Sequence, residues 1–311
     1  DCIVPVSGGK DSMFQVYYMK NVMKMNILAV SALAHIQTVE GISNLNSMVK
    51  NLDIDLHIIN VSPAILKRIR NISFFKLGNP NYAEHRIVFS SVLRSAVEYD
   101  IPLVVWGEDI GVEFGGNIDK ESKNSGSANS IIDNDLFRES SFEDLIGDDV
   151  PHKLLNFYNY PQPKEFNEKN IKSIYLSHFV YWDGYKNFLK SKEYGFTDRK
   201  KGPLSGNVLT YDNIDEKLCE INIWLKFLKL GFWRPHDNCS YQIWNGRMTR
   251  EEAVKIVNSK MYEFPVEYVK EYMEYHEINE NQFYGNLEKW RNLDIWKKDS
   301  NNNWILKYPL K

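Results

Sequence analysis

Six residues near the start of the chain, Ser7-Gly8-Gly9-Lys10-Asp11-Ser12, are of the types that bind phosphate, and their order suits the task. Two glycines let a backbone turn tightly and approach a ligand closely. A helix beginning just after them would aim its free N–H groups and the positive end of its dipole at an anion. Ser7 and Ser12 add hydroxyls, and Lys10 adds a cation for phosphate oxygens. Asp11 would repel a bare phosphate, so it points either to Mg²⁺ or to a hydrogen-bonding role within the loop. The spacing is neither the GxxxxGK[ST] of a Walker A loop nor the GxGxxG of a dinucleotide-binding turn. The alternative is a plain glycine-rich turn. A fixed SGGxDS arises by chance in roughly one chain in a few thousand of this length at average residue frequencies.

The surrounding pattern supplies the elements that such a loop needs. Residues 2–6 are apolar and β-branched, as in a buried parallel strand, and a helix is expected over about 12–22. A second strand is predicted over 26–34. Ser43 is expected to cap a helix with Leu45, Met48, Val49 and Leu52 on one face. A third strand is predicted over 56–61, followed by Ser62 and Pro63 as N-cap and first-turn proline. Helices to about 75 and over 84–99 lead to a fourth strand at 103–106. This alternation predicts a doubly wound, mostly parallel α/β sheet. Residues 117–150, rich in Asn, Ser, Asp and Lys, read as an insertion or mobile lid. A strand returns within 171–182. From Asp215 the pattern turns helical, with a capping box at Thr249-Arg250-Glu251-Glu252 and helices beginning at Pro265 and Asn279. The expected division is an ATP-binding α/β domain over 1–185 and a mainly helical region over 186–311.

Other residues could serve the same site. Gly107, Glu108 and Glu113 follow the fourth strand, and in open α/β sheets ligands sit beyond the carboxyl ends of strands. Glu108 either binds Mg²⁺ and orients an activated oxygen or is a solvated loop carboxylate. His35 follows the second strand and is either a pocket wall or an ordinary histidine. Arg234 with Asp237 either grips substrate phosphate and hydroxyls or forms an ion pair at a helix–loop junction.

Composition narrows the classes. The 311 residues are 43% hydrophobic and 25% charged, an ordinary globular balance. A net charge of −3 sets up no basic field for nucleic acid. No run of 18 apolar residues spans a membrane, and no signal peptide is seen. Cys2, Cys219 and Cys239 form no CxxC pair and are too few for a disulfide framework, so a reducing, cytoplasmic setting is expected. The second residue already lies in a predicted core strand, as expected of a sequence that continues upstream. No Ser-His-Asp order or HExxH motif supports a hydrolase.

SGGKDS resembles the PP-loop of ATP pyrophosphatases, which cleave ATP between the α and β phosphates and adenylate a carbonyl-type oxygen. Further stretches narrow the resemblance. Pro102-Leu103-Val104-Val105-Trp106-Gly107-Glu108, Glu113-Phe114-Gly115-Gly116 and Tyr181-Trp182-Asp183-Gly184-Tyr185 are similar to segments of N-acetyl sugar amidotransferases of surface-polysaccharide biosynthesis. So are Leu230-Gly231-Phe232-Trp233-Arg234, Asn245-Gly246-Arg247-Met248-Thr249-Arg250-Glu251-Glu252 and the closing Asp294-Ile295-Trp296 and Leu306-Lys307-Tyr308-Pro309.

The resemblance implies that ATP, with Mg²⁺ held by Asp11, adenylates the N-acetyl oxygen of a nucleotide-linked or free sugar. Ammonia then replaces the oxygen and leaves an acetamidino group. It implies ATP contacts from Ser7, Gly8, Gly9, Lys10, Asp11, Ser12, His35 and Gly107. Lys10, Asp11 and Glu108 would be catalytic, and Glu113, Arg234 and Asp237 would meet the substrate. It implies a separate glutaminase subunit as the ammonia source, with a cyclase-like channel subunit as a further partner. Family members usually carry a cysteine-bearing N-terminal segment and cysteines around the position of Asn79–His85. Neither is in this sequence, and Gly202-Pro203-Leu204-Ser205-Gly206 also departs from the family pattern. The competing readings are a tRNA-modifying PP-loop enzyme and a nucleotide-binding, non-catalytic subunit.

Overall fold

The fold is that of a computed structural model, which describes residues 1–32, 36–109, 142–308 and 310. Five parallel strands form the main sheet: β1 (Cys2–Pro5), β2 (Ile27–Ala32), β3 (Asp55–Ile59), β4 (Leu103–Trp106) and β5 (Lys172–Tyr175), in the order β3-β2-β1-β4-β5. The order reverses between β1 and β4, which makes that point the sheet's topological switch. Cys2, Ile3, Val4, Val104 and Val105 are fully buried, as expected of central parallel strands covered on both faces.

The helices are α1 (Lys10–Tyr17), α2 (Val39–Leu52), α3 (Pro63–Leu77), α4 (Tyr82–Glu98), α5 (Phe142–Ile146), α6 (Pro163–Glu168) and α7 (Gly184–Glu193), followed by α8 (Cys219–Leu230), α9 (Arg234–Trp244), α10 (Arg250–Lys260), α11 (Val269–His276) and α12 (Glu280–Lys289). A short antiparallel hairpin, β6 (Trp296–Lys298) and β7 (Trp304–Leu306), follows. Phe89, Val92, Leu93 and Ala96 of α4 pack with Ile3, Val30, Val104 and Tyr175 and with Phe166 of α6, covering one face of the sheet. α1 packs on α2 and α7; the right-handed rule for crossovers between parallel strands sends α1 and α2 to the face opposite α4.

Several elements differ from expectation. The first helix starts at Lys10 and ends in a single π turn, Tyr18–Val22. The second starts at Val39, because Thr38 rather than Ser43 is its cap; Thr38 Oγ1 accepts from Gly41 N at 2.8 Å. β5 ends at Tyr175 and passes into a 3₁₀ turn, Leu176–His178. The helix expected at Pro265 begins at Val269, whereas Thr249 and Asn279 form the anticipated caps. Residues 117–141 of the expected insertion lie outside the described residues. Within residues 142–150 the apolar side chains turn inward, while Glu143, Asp144 and Asp149 are exposed. Phe142, Leu145, Ile146 and Val150 are buried, and Arg86 lies 4.1 Å over the Phe142 ring.

The chain divides into two compact units. One comprises Asp1–Leu66, Tyr82–Asp198 and Asn213–Glu216; the other comprises Lys67–Asn81, Arg199–Asp212 and Lys217–Lys311. This division is not a single cut at 185/186. Phe74 of α3 belongs with Tyr272 and Phe283, at ring distances of 5.5 and 6.2 Å. In the same unit Trp233 is fully buried against Trp224. Gly206 has φ +74°, and a Cβ there would stand 2.1 Å from the Trp233 ring.

Candidate nucleotide site

The phosphate loop runs from β1 into α1 at the switch point. Gly8 has φ +94°, and a Cβ on it would meet Gly41 O at 2.4 Å. A side chain is therefore excluded by conformation and by space. The serines work within the loop. Ser7 Oγ accepts from Gly9 N at 3.3 Å, while Ser12 Oγ accepts from Ser7 N at 3.4 Å and donates to Gly9 O at 3.0 Å. The Ser12 proton thus closes the turn instead of reaching outward. Intrahelical bonding begins with Met13 N donating to Gly9 O at 3.2 Å, so the N–H groups of Asp11 and Ser12 have no partner inside the helix. A shaped backbone, helix-end donors and Lys10 fit a polyphosphate.

Lys10 and Asp11 are held from α7. Lys10 Nζ lies 2.7 Å from Asp11 Oδ2, and Asn187 Nδ2 donates to Asp11 Oδ1 at 2.8 Å. Ser191 Oγ donates to Lys10 O at 2.7 Å. A Cβ on Gly184 would stand 3.3 Å from Lys10 Cε, so the lysine stem lies along that glycine. Gly184, Asn187 and Ser191 recur at helical spacing on one face of α7, whose start is capped by Asp183 accepting from Tyr185 N at 3.1 Å. Of the two roles open to Asp11, the hydrogen-bonded one is in place. Were Mg²⁺ to bind with a nucleotide, Asp11 would supply one oxygen and neutralise part of the phosphate charge through it. The Lys10 contact competes for that carboxylate. Among the described residues, no group of three His, Cys, Asp or Glu side chains could hold a metal.

The β4 exit closes the other side of the switch point. Gln15 of α1, 2% exposed, donates through Nε2 to Val105 O. A Cβ on Gly107 would stand 3.3 Å from both Gln15 Oε1 and the Trp182 ring, and Trp182 meets Phe14 edge-on at 5.7 Å. Gly107 is thus packed between α1 and Trp182, and Glu108 beside it is half-buried. The next residue, Asp109, is buried, and its Oδ2 lies 2.8 Å from His178 Nε2. The sequence reading missed Asp109, His178, Gln15, Asn187 and Ser191. Only the helical recurrence of Gly184, Asn187 and Ser191 could have flagged any of them.

His35 and Glu113 lie outside the described residues. Arg234 and Asp237 sit in the second unit and do not pair with each other. Arg234 Nη2 lies 3.9 Å from Glu220 Oε1, and Asp237 takes Lys226 Nζ at 2.9 and 3.1 Å. The Trp233-Arg234 stretch thus joins a buried ring to a polar network, in which Asn207 Nδ2 donates to Glu220 at 3.3 Å and Asn238 Nδ2 to Asp212 at 2.6 Å. The three cysteines form no disulfide, and burial pushes the Cys2 thiol up to about 11 and raises that of Cys239. No helix among the described residues is long and apolar enough to cross a membrane.

Residues 172–310 match the family model described as LPS biosynthesis protein WbpG-like, C-terminal domain. No curated protein sequence matches the chain significantly. Among solved structures, the U34-tRNA thiolase NcsA from Methanococcus maripaludis with its 4Fe-4S cluster is similar at 14% identity and a TM-score of 0.35, over 83% of this chain and 69% of that one. At that score the likeness carries nothing about chemistry. The matched stretch 172–310 begins with β5 and includes α7, the helix that seats Lys10 and Asp11. The likeness to the WbpG-like C-terminal domain of lipopolysaccharide biosynthesis is thus one of the segment 172–310, which is less than half of the chain.

Proposed function

We propose that this protein is an ATP-dependent amidotransferase of surface-glycan biosynthesis. It adenylates the N-acetyl oxygen of a sugar, free or nucleotide-linked, and ammonia displaces AMP to leave an acetamidino group. The observation that carries this reading is the SGGKDS loop at the switch point, clamped by a helix from the WbpG-like segment. Lys10 and the first-turn N–H groups of α1 hold the phosphates and stabilise the charge of departing pyrophosphate. Asp11 positions Lys10 or, with Mg²⁺ bound, supplies it one ligand. Glu108 stands at the mouth of the β4 exit, where it orients the activated oxygen. His35 and Glu113 are assigned to the adenine and sugar ends, and Arg234 and Asp237 to the substrate, on the resemblance of their motifs alone.

The test mixes purified protein, ATP, Mg²⁺, ammonium chloride and a panel of UDP- and CMP-linked N-acetyl sugars. AMP and pyrophosphate are expected with at least one sugar; ADP and orthophosphate as products would refute the reading.

Ammonia reaches this chain from a separate glutaminase subunit, with a cyclase-like subunit as the channel between them. Glutamine hydrolysis needs an activated thiolate beside a histidine base. Burial raises the thiols of Cys2 and Cys239 instead. Replacing ammonium by glutamine in the same assay is therefore expected to stop AMP formation. Equal turnover on glutamine, lost on Cys→Ala substitution, would place a glutaminase in this chain.

A further inference from the structure

Beyond the ends of β4 and β5, two adjacent parallel strands whose last paired residues are Trp106 and Tyr175, the chain makes two turns tied by three contacts. Ser177 N donates to Gly107 O at 3.1 Å. Asp109 N donates to Ser177 Oγ at 3.0 Å. His178 Nε2 lies 2.8 Å from Asp109 Oδ2, with the two side chains 18% and 6% exposed. The first two contacts already join the turns through neutral groups. A carboxylate sunk beside an imidazole adds a desolvation cost that a structural tie does not require.

The pair's geometry suits a base. Nε2 is the ring nitrogen that meets the Asp109 carboxylate, so Nδ1 is the one left to face a reacting group. The Tyr175 ring, 6.1 Å away and tilted by 30°, flanks the imidazole on a second side. The pair also lies in the right place. In the order β1-β4-β5, β5 is two strands from the phosphate loop, roughly 10 Å at ordinary strand spacing. That is too far to touch the phosphates the loop grips and suits the acceptor end of the reacting group.

Resting on the amidotransferase reading, we propose that His178 is the catalytic base of the ammonia step and Asp109 its positioning residue. Ammonia forms a C–N bond to the adenylated acetamido carbon, leaving a positive charge on that nitrogen. His178 Nδ1 takes one proton from it. The C–O bond to AMP breaks, its electron pair leaves with AMP, and a nitrogen lone pair completes the C=N bond of the amidine. The proton on His178 returns to solvent.

The experiment is a rapid-quench turnover of the full chain with ATP, Mg²⁺, ammonium chloride and the UDP- and CMP-linked N-acetyl sugar panel, reading pyrophosphate and amidine separately. His178→Ala is expected to form pyrophosphate within about threefold of the parent rate and amidine at least about a hundredfold more slowly, the usual worth of a general base. Added imidazole is expected to restore amidine formation about tenfold or more. Asp109→Asn, which keeps the hydrogen bond, is expected to slow the amidine step alone. If His178→Ala does not fold, His178→Asn, which retains a donor toward Asp109, is expected to show the same split between steps. Equal loss of both steps, unaltered amidine formation, or failure of imidazole to rescue a folded His178→Ala would overturn the proposal while leaving the amidotransferase reading intact. No pyrophosphate from the unsubstituted protein with any sugar would overturn both.

Discussion

Lys10 stands between Asp11, 2.7 Å from its ammonium, and Gly184, along which its stem lies. With its side chain 11% exposed, it is a preorganised charge that needs little rearrangement to meet a phosphate. Lys10→Ala is expected to lower turnover by at least about a hundredfold, the usual scale for losing one such contact. Asp11→Asn is expected to do likewise, because the amide cannot balance the lysine. Both variants should keep the parent's far-UV circular dichroism, since each change faces the ligand side of the loop. Near-parent turnover in either variant would remove that residue from the mechanism. Gly8 carries a different constraint: its φ of +94° and its approach to Gly41 are demands on shape, not chemistry.

At the scale of elements, α7 acts as a splint for the phosphate loop. Asn187 and Ser191 are buried and donate to Asp11 Oδ1 and Lys10 O. Asn187→Leu keeps the approximate volume but leaves one oxygen of the half-buried Asp11 carboxylate without its donor, a loss of about 1 kcal/mol because water still reaches part of that group. We expect about a tenfold or greater rise in the Kd for ATP, measured by calorimetry. The melting temperature should fall only modestly, because Leu stays within the α1–α7 contact. Unchanged ATP affinity would mean that α7 packs on α1 without tuning it. The other caps are local devices: Thr249 and Glu252 bond reciprocally at 3.2 and 2.8 Å to start α10.

For the whole molecule, the second unit carries a pH liability. His276 is 1% exposed, its Nδ1 bonds to Asn71 Oδ1, and its ring lies 4.2 Å from that of Tyr272. Burial, then the charges of Arg70 and Lys67, hold its pKa well below the ordinary 6.5. Burial also lowers that of His236. In both cases the unfolded chain binds a proton that the folded chain refuses. Stability from these histidines is therefore full above pH 6.5 or so and is lost as pH falls below it, by up to about 1.4 kcal/mol per pH unit for each. Urea titrations between pH 7 and pH 5 should show that slope, and His276→Gln should flatten it by nearly one proton. A slope unchanged in the variant would assign the acid sensitivity elsewhere.

What the sequence determined by itself was local. A strand, two glycines and a helix start specify their own geometry within a dozen residues, so the turn from β1 into α1 could be read directly. The same holds for the four residues of β4 and for the Thr249 and Asn279 caps, whose partners lie three residues away. The alternation of short apolar strands with helices also conveyed the parallel α/β class, because a strand buried on both faces must be apolar throughout. The tertiary structure decided what depends on sheet order and distant packing. Asn187 reaches Asp11 across 176 positions, and Asp109 meets His178 across 69, because β4 and β5 are neighbours. Periodicity cannot report such pairings, since it constrains only residues a few positions apart. For the same reason Thr38 displaced Ser43 as a cap. Its hydroxyl also donates to Ile214 O, a partner supplied from far along the chain. Residues 67–81 likewise joined the second unit through Phe74, whose aromatic neighbours follow it by about two hundred residues.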